Sequence, residues 1–125
     1  MVSSYRDLTV WKRAMELVEI IYQLTMKLPS VEKYGLASQV QRAAVSLPSN
    51  IAEGHAREST REYLRYLLIV RGSLAELETQ LLLCERLKLL TADDIAPAMA
   101  ICDELGRMLR GLQHSLNDKL NAQDH

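Results

Sequence analysis

Residues 59–88 read STREYLRYLLIVRGSLAELETQLLLCERLK, and this stretch decides the fold class. Tyr63, Leu67, Val70, Leu74, Leu77, Leu81 and Cys84 recur at spacings of three and four. That spacing sets them on one stripe of an α-helix. Leu64, Leu68, Ala75 and Leu82 trace a second stripe beside it. Ser59-Thr60-Arg61-Glu62 has the form of a capping box, in which the hydroxyl and the carboxylate each satisfy a free backbone N–H. A helix of this span is about 42 Å long, a length that suits a bundle.

The same spacings recur in three more segments. Upstream, residues 32–56 place Leu36, Val40, Ala44, Leu47 and Ile51 on one face. Small residues between them make this helix slim, and Pro48 inside it predicts a kink at Leu47–Pro48. Residues 7–28 carry Leu8, Trp11, Met15, Val18, Tyr22 and Thr25, with Asp7 as the expected cap and Pro29 as the stop. Downstream, Thr91-Ala92-Asp93-Asp94 is a start signal with acidic residues suited to the positive helix end. Ile95, Met99, Cys102, Gly106, Leu109, Gln113, Leu116 and Leu120 then mark one face of residues 93–120. Residues 121–125 read as a polar, frayed tail. Four amphipathic helices with short connections predict an all-α, antiparallel up-down-up-down four-helix bundle, in one domain spanning 1–125.

The apolar faces are wider than one bundle core requires. Val10, Leu17 and Leu24 form a second stripe on the first helix, as Leu64, Leu68 and Leu82 do on the third. These six residues are the expected contacts of a homo-oligomer, and a monomer with an apolar surface is the plainer alternative.

Composition narrows the function classes. The 125 residues carry 15 Lys and Arg against 16 Asp and Glu, a net charge of −1. A generally basic nucleic-acid-binding chain is therefore excluded, although residues 1–75 sum to +3 and residues 76–125 to −4. Phe is absent and Gly and Pro are few, which favours aliphatic helix packing. No uncharged apolar run approaches the roughly 18 residues of a membrane span. Arg6, Asp7, Lys12 and Arg13 leave no room for a secretory apolar segment, so the cytoplasm is the expected compartment.

Catalytic and cofactor motifs are missing. No Glu-x-x-His pair suggests a di-iron bundle, and His55, His114 and His125 lie apart, so neither a metal nor a cofactor is expected. Cys84 and Cys102 read as small core hydrophobes. There is no nucleophile elbow, P-loop or dinucleotide fingerprint. Glu53 beside His55 could make an acid–base pair, but a helix end with a Glu53–Arg57 pair explains both residues. The expectation is a protein without enzymatic activity.

The arginines are the most suggestive cluster. Arg57, Arg61 and Arg65 are spaced four apart where one helix ends and the next begins, with Arg71 further along and Arg42 facing from the second helix. Such guanidinium groups suit phosphates or an acidic partner. Glu58 and Glu62 lie alongside and offset them. Tyr63 and Tyr66 are the only nearby aromatics for base stacking.

One stretch is less generic. Glu32-x-x-Gly35-Leu36-x-x-Gln39-x-x-Arg42-Ala43-x-x-Ser46-x-Pro48-x-Asn50-Ile51-Ala52-Glu53-Gly54 resembles the signature of the bacterial 23S rRNA intervening-sequence proteins, also called the four-helix bundle protein family. Tyr5-x-x-Leu8-x-Val10-Trp11 and Gly72-Ser73-Leu74-x-Glu76-Leu77 extend the likeness over about residues 5–115. The resemblance implies a bundle assembled into a ring-like homopentamer. It also implies kinship with the accessory protein of diversity-generating retroelements, which binds nucleic acid and partners a reverse transcriptase through basic surface residues. That relative is strongly basic, whereas this chain is slightly acidic, so any basic surface here is local.

The motif also has a physical reading. Asn50 is placed to bond backbone groups freed at Pro48, and Gly54 permits close approach or a helix exit. Gln39, Arg42 and Ser46 lie on one line of their helix and are expected to form a buried polar network with Glu76 or Glu78, with direct contact to a ligand as the alternative reading of the motif. Together these observations predict an oligomeric bundle that binds structured RNA or DNA through an arginine edge. The alternative is an interaction scaffold that docks a protein and touches no nucleic acid.

Overall fold

The computed structural model describes residues 4–123, which form four α-helices and, among the described residues, no strand. Helix α1 spans Thr9–Thr25, α2 Leu36–Ala56, α3 Thr60–Arg86 and α4 Ala92–Gln123. Each helix packs against its neighbour in sequence, and α4 closes onto α1. Arg13 meets Glu104 and Lys27 meets Asp94, so residue numbers fall along α4 as they rise along α1.

The helix ends differ from the sequence expectations where local hydrogen bonds compete. Asp7 does not cap α1. It closes a short 3₁₀ turn over Tyr5–Asp7 that Ser4 caps through the Arg6 N–H, and α1 begins after Leu8 without a side-chain cap. The helix ends at Thr25, three residues short of the expected end at Leu28, and the amides of Met26, Lys27 and Leu28 close a tighter turn onto Gln23, Leu24 and Thr25. The next helix starts at Leu36, where Glu32 Oε1 accepts the Leu36 N–H from outside the helix at 3.2 Å.

Pro48 is buried inside α2, which runs unbroken from Leu36 to Ala56. The Asn50 amide donates to the Ser46 carbonyl at 2.8 Å. That acceptor lies four residues back, and Pro48 deprives a different one, the carbonyl of Ala44, of its usual donor.

Only half of the expected capping box forms at α3. Ser59 Oγ accepts the Glu62 N–H, but the Glu62 carboxylate turns to Arg65 at 2.7 Å. The box at α4 is complete: Asp94 N–H donates to Thr91 Oγ1 at 3.0 Å and Thr91 N–H to Asp94 Oδ2 at 2.9 Å. Asn121–Gln123, expected to fray, continue α4; Asp124 and His125 lie outside the described residues.

Leu17, Ile21, Leu47, Ile51, Leu67, Leu77, Leu81, Leu105 and Leu109 are fully buried between the helices. Cys84 and Cys102 are buried free thiols in this core. Burial pushes the Cys102 thiol up to about 12 and raises that of Cys84. No described helix is long and apolar enough to cross a membrane.

The two expected oligomer stripes separate here. Val10, Leu17 and Leu24 are at most 5% exposed in the single chain and belong to its own core, so they are not a free face. One stripe is too few for the core face of α1, which packs against both α2 and α4 and buries two. On α3, Leu68 and Leu82 are 58% and 50% exposed, and Leu64 is half-buried.

Candidate functional site

The α2–α3 corner is built around a glycine. A Cβ on Gly54 would lie 2.6 Å from Tyr66 Cβ and 3.2 Å from Tyr63 Cδ1, so only Gly lets the two helices meet this closely. Gly54 therefore serves close approach, not helix exit, since α2 continues to Ala56.

Tyr66, buried by this contact, organises two of the arginines. Arg57 Nη2 donates to the Tyr66 hydroxyl at 2.6 Å, and its Cζ lies 5.1 Å from the ring centroid. Arg65 Cζ lies 4.9 Å from the same centroid. Cations at this range are attracted to the ring quadrupole. Both guanidinium groups remain accessible, with 47% and 57% of their side chains exposed.

Carboxylates temper this corner. Arg65 pairs with Glu62 at 2.7 Å, and Arg57 makes a long pair with Glu53 at 3.9 Å. Hydrogen bonding to Arg65 holds the Glu62 carboxyl below the usual range, so it is ionised at neutral pH. Glu53 is thus engaged with Arg57, while the His55 ring packs edge-on against Tyr63 at 5.7 Å. The Tyr63 hydroxyl is buried without a partner among the described residues, and burial raises its pKa.

Arg61 and Arg65 line a shallow cleft with Leu64, Leu68, Gln113, Asn117 and Leu120 of α3 and α4. Arg71 donates to Gln113 Oε1 at 3.0 Å and so reaches the same side. Arg57, Arg61 and Arg65 therefore gather at the N-terminal end of α3, and Arg71, near the middle of the helix, is linked to their cleft through Gln113. Arg42 does not join them. It lines a separate groove with Ser73 and Glu76, about 12 Å along α3 from Arg65 at 1.5 Å per residue and just beyond Arg71.

That groove is the second polar feature. Gln39, Arg42 and Ser46 face Ser73, Glu76 and Gln80 across the α2–α3 seam. The sequence expectation of a buried network fails in its burial and its bonds. Gln39, Arg42 and Glu76 are exposed, Arg42 bonds Ser38 Oγ at 3.0 Å, and Ser46 donates back to the Ala43 carbonyl at 2.6 Å. Glu78 lies instead where its charge raises the Cys102 thiol. Gln80 was missed. It is 8% exposed, and its Oε1 has no hydrogen-bond donor among the described residues. The readable signal was a polar residue three positions from Leu77, beside the buried stripe.

Among the described residues, no group of three His, Cys, Asp or Glu side chains is placed to hold a metal ion. The family model for 23S rRNA-intervening sequence protein matches residues 6–111. The match covers most of the chain, which therefore belongs to this family. No curated protein matches the sequence.

Proposed function

We propose that this member of the 23S rRNA-intervening sequence protein family is a non-enzymatic homo-oligomer that binds structured RNA or DNA through arginines at one end of α3. The observation that carries this reading is the grouping of Arg57, Arg61 and Arg65 there, with two guanidinium groups held over Tyr66 and Arg71 reaching the same cleft through Gln113. A preset guanidinium loses less freedom on meeting a phosphate than a mobile one. The exposed leucines of α3 support assembly, because Leu68 shares a cleft with Arg61 and Arg65. Copies joined along α3 would bring several arginine edges together. Five copies, as the resemblance implies, would let weak single contacts add through multivalency. The cytoplasm, where RNA is at hand, fits this role.

Fluorescence anisotropy with a structured RNA and a duplex DNA tests the proposal at about 50 and 200 mM salt, the range over which phosphate contacts weaken steeply. The expected result is binding that falls with salt and is lost in the Arg57→Ala, Arg61→Ala, Arg65→Ala triple variant. No binding at low salt would overturn it. The ion pairs to Glu53 and Glu62 favour a second reading, in which the same face docks a protein such as a reverse transcriptase. In that case a protein partner competes for the arginines while nucleic acid does not.

A further inference from the structure

The groove between α2 and α3 carries chemistry that the arginine edge does not use. Both helices contribute polar residues at i, i+3 and i+7: Gln39, Arg42 and Ser46 from one, Ser73, Glu76 and Gln80 from the other. This spacing keeps each trio on one helical face. The groove is open to solvent and offers about 250 Å³. That is below the usual range for drug-sized ligands and suits a molecule of a few heavy atoms.

Three groups there have unused bonding capacity. Arg42 donates only to Ser38 and, among the described residues, pairs with no carboxylate. Glu76 pairs with no cation among the described residues. The two bear opposite charges in one groove and are not ion-paired with each other. The third is Gln80 Oε1, an acceptor in a side chain that is 8% exposed and receives no donor. A buried acceptor without a partner is costly and rare in native proteins. Oε1 is closed off from the groove as it stands, and a ligand donor meets it once the Gln80 amide turns outward. Ser46 spends its proton on the Ala43 carbonyl and keeps its lone pairs for a donor.

We propose that this groove binds a small zwitterion of amino-acid size, its carboxylate on Arg42 and its ammonium between Glu76 and the Gln80 amide oxygen. A phosphate chain is disfavoured because Glu76 faces it, and a simple cation because Arg42 does. Gln39 and Ser73 complete the rim and sort ligands by side chain. The site is independent of nucleic-acid binding, since none of the arginines at the α2–α3 corner lines it.

Isothermal titration calorimetry of the full chain tests this with glycine, L-serine, L-glutamine and L-lysine, each to about 10 mM, and with acetate and methylammonium as half-ligands. The expected result is millimolar or tighter binding of at least one amino acid and none of either half-ligand. Arg42→Gln and Glu76→Gln change exposed side chains and should leave melting intact while weakening binding about tenfold or more, the scale of a lost charge-assisted bond. Gln80→Met, close in volume, should abolish binding while keeping the fold. Absence of binding across the panel would overturn the proposal and leave a groove filled by water alone. Binding indifferent to Arg42→Gln and Glu76→Gln, or matched by acetate, would overturn it equally.

Discussion

At the residue scale, Gly54 illustrates how packing overrides propensity. In a helix interior, Gly→Ala gains about 1 kcal/mol from reduced chain entropy. At Gly54 the new methyl would overlap Tyr66 Cβ at 2.6 Å, and neither atom is the end of a flexible chain. Overpacking of this kind costs about 1–3 kcal/mol, so Gly54→Ala is expected to destabilise the protein. A methyl added at Gly111 would meet nothing within 4 Å, and Gly111→Ala should stabilise by up to about 1 kcal/mol. Chemical denaturation of both variants checks the pair, and equal shifts would contradict the account of the corner. The motif ending in Gly54 made this glycine conspicuous in the sequence. Its partner Tyr66 was legible only as a nearby aromatic, because its two guanidinium contacts depend on how the corner closes.

At the element scale, the helix ends set both stability and its pH dependence. Lys88 follows α3 with φ 62°, while Leu89 N–H reaches the Cys84 carbonyl and Lys88 N–H that of Glu85. This is a Schellman stop whose left-handed position usually holds Gly. Lys88→Gly is therefore expected to stabilise by about 1 kcal/mol, read as a higher denaturation midpoint. The start of α4 behaves differently. Asp94 is held below the ordinary aspartate value, first by the Thr91 N–H and then by the Lys27 ammonium. Its contribution is present in full above that ordinary value, 3.8, and is lost as pH falls through the lower folded-state value. Thermal melts across pH 2–6 should show this acid loss diminished in Asp94→Asn; an unchanged profile would contradict the assignment. Thr91-Ala92-Asp93-Asp94 announced this cap in the sequence. The end of α1 was not readable, because Thr25, whose hydroxyl bonds the Tyr22 carbonyl, breaks the helix no more visibly than its neighbours do.

At the scale of the whole molecule, hydrophobic periodicity sufficed for four helices, since each stripe repeats over many turns. It did not reveal which stripe stays uncovered. Val10, Leu17 and Leu24 look like Leu64, Leu68 and Leu82 as patterns, and only the packing of α1 against two neighbours hides the first set. The arginines show the same limit. Spacing grouped Arg57, Arg61 and Arg65 correctly, whereas Arg42, one helix away, belongs to a different groove. Leu68→Glu with Leu82→Glu places two charges on the exposed α3 face and touches no buried core position. This double variant should keep its helicity by circular dichroism and sediment as a single chain.

Sedimentation velocity of the wild-type chain with a labelled structured RNA, at about 50 mM salt, tests assembly and binding together. The account requires the RNA to travel with a species of several chains. RNA that sediments alone, or protein that sediments as a single chain, would contradict it.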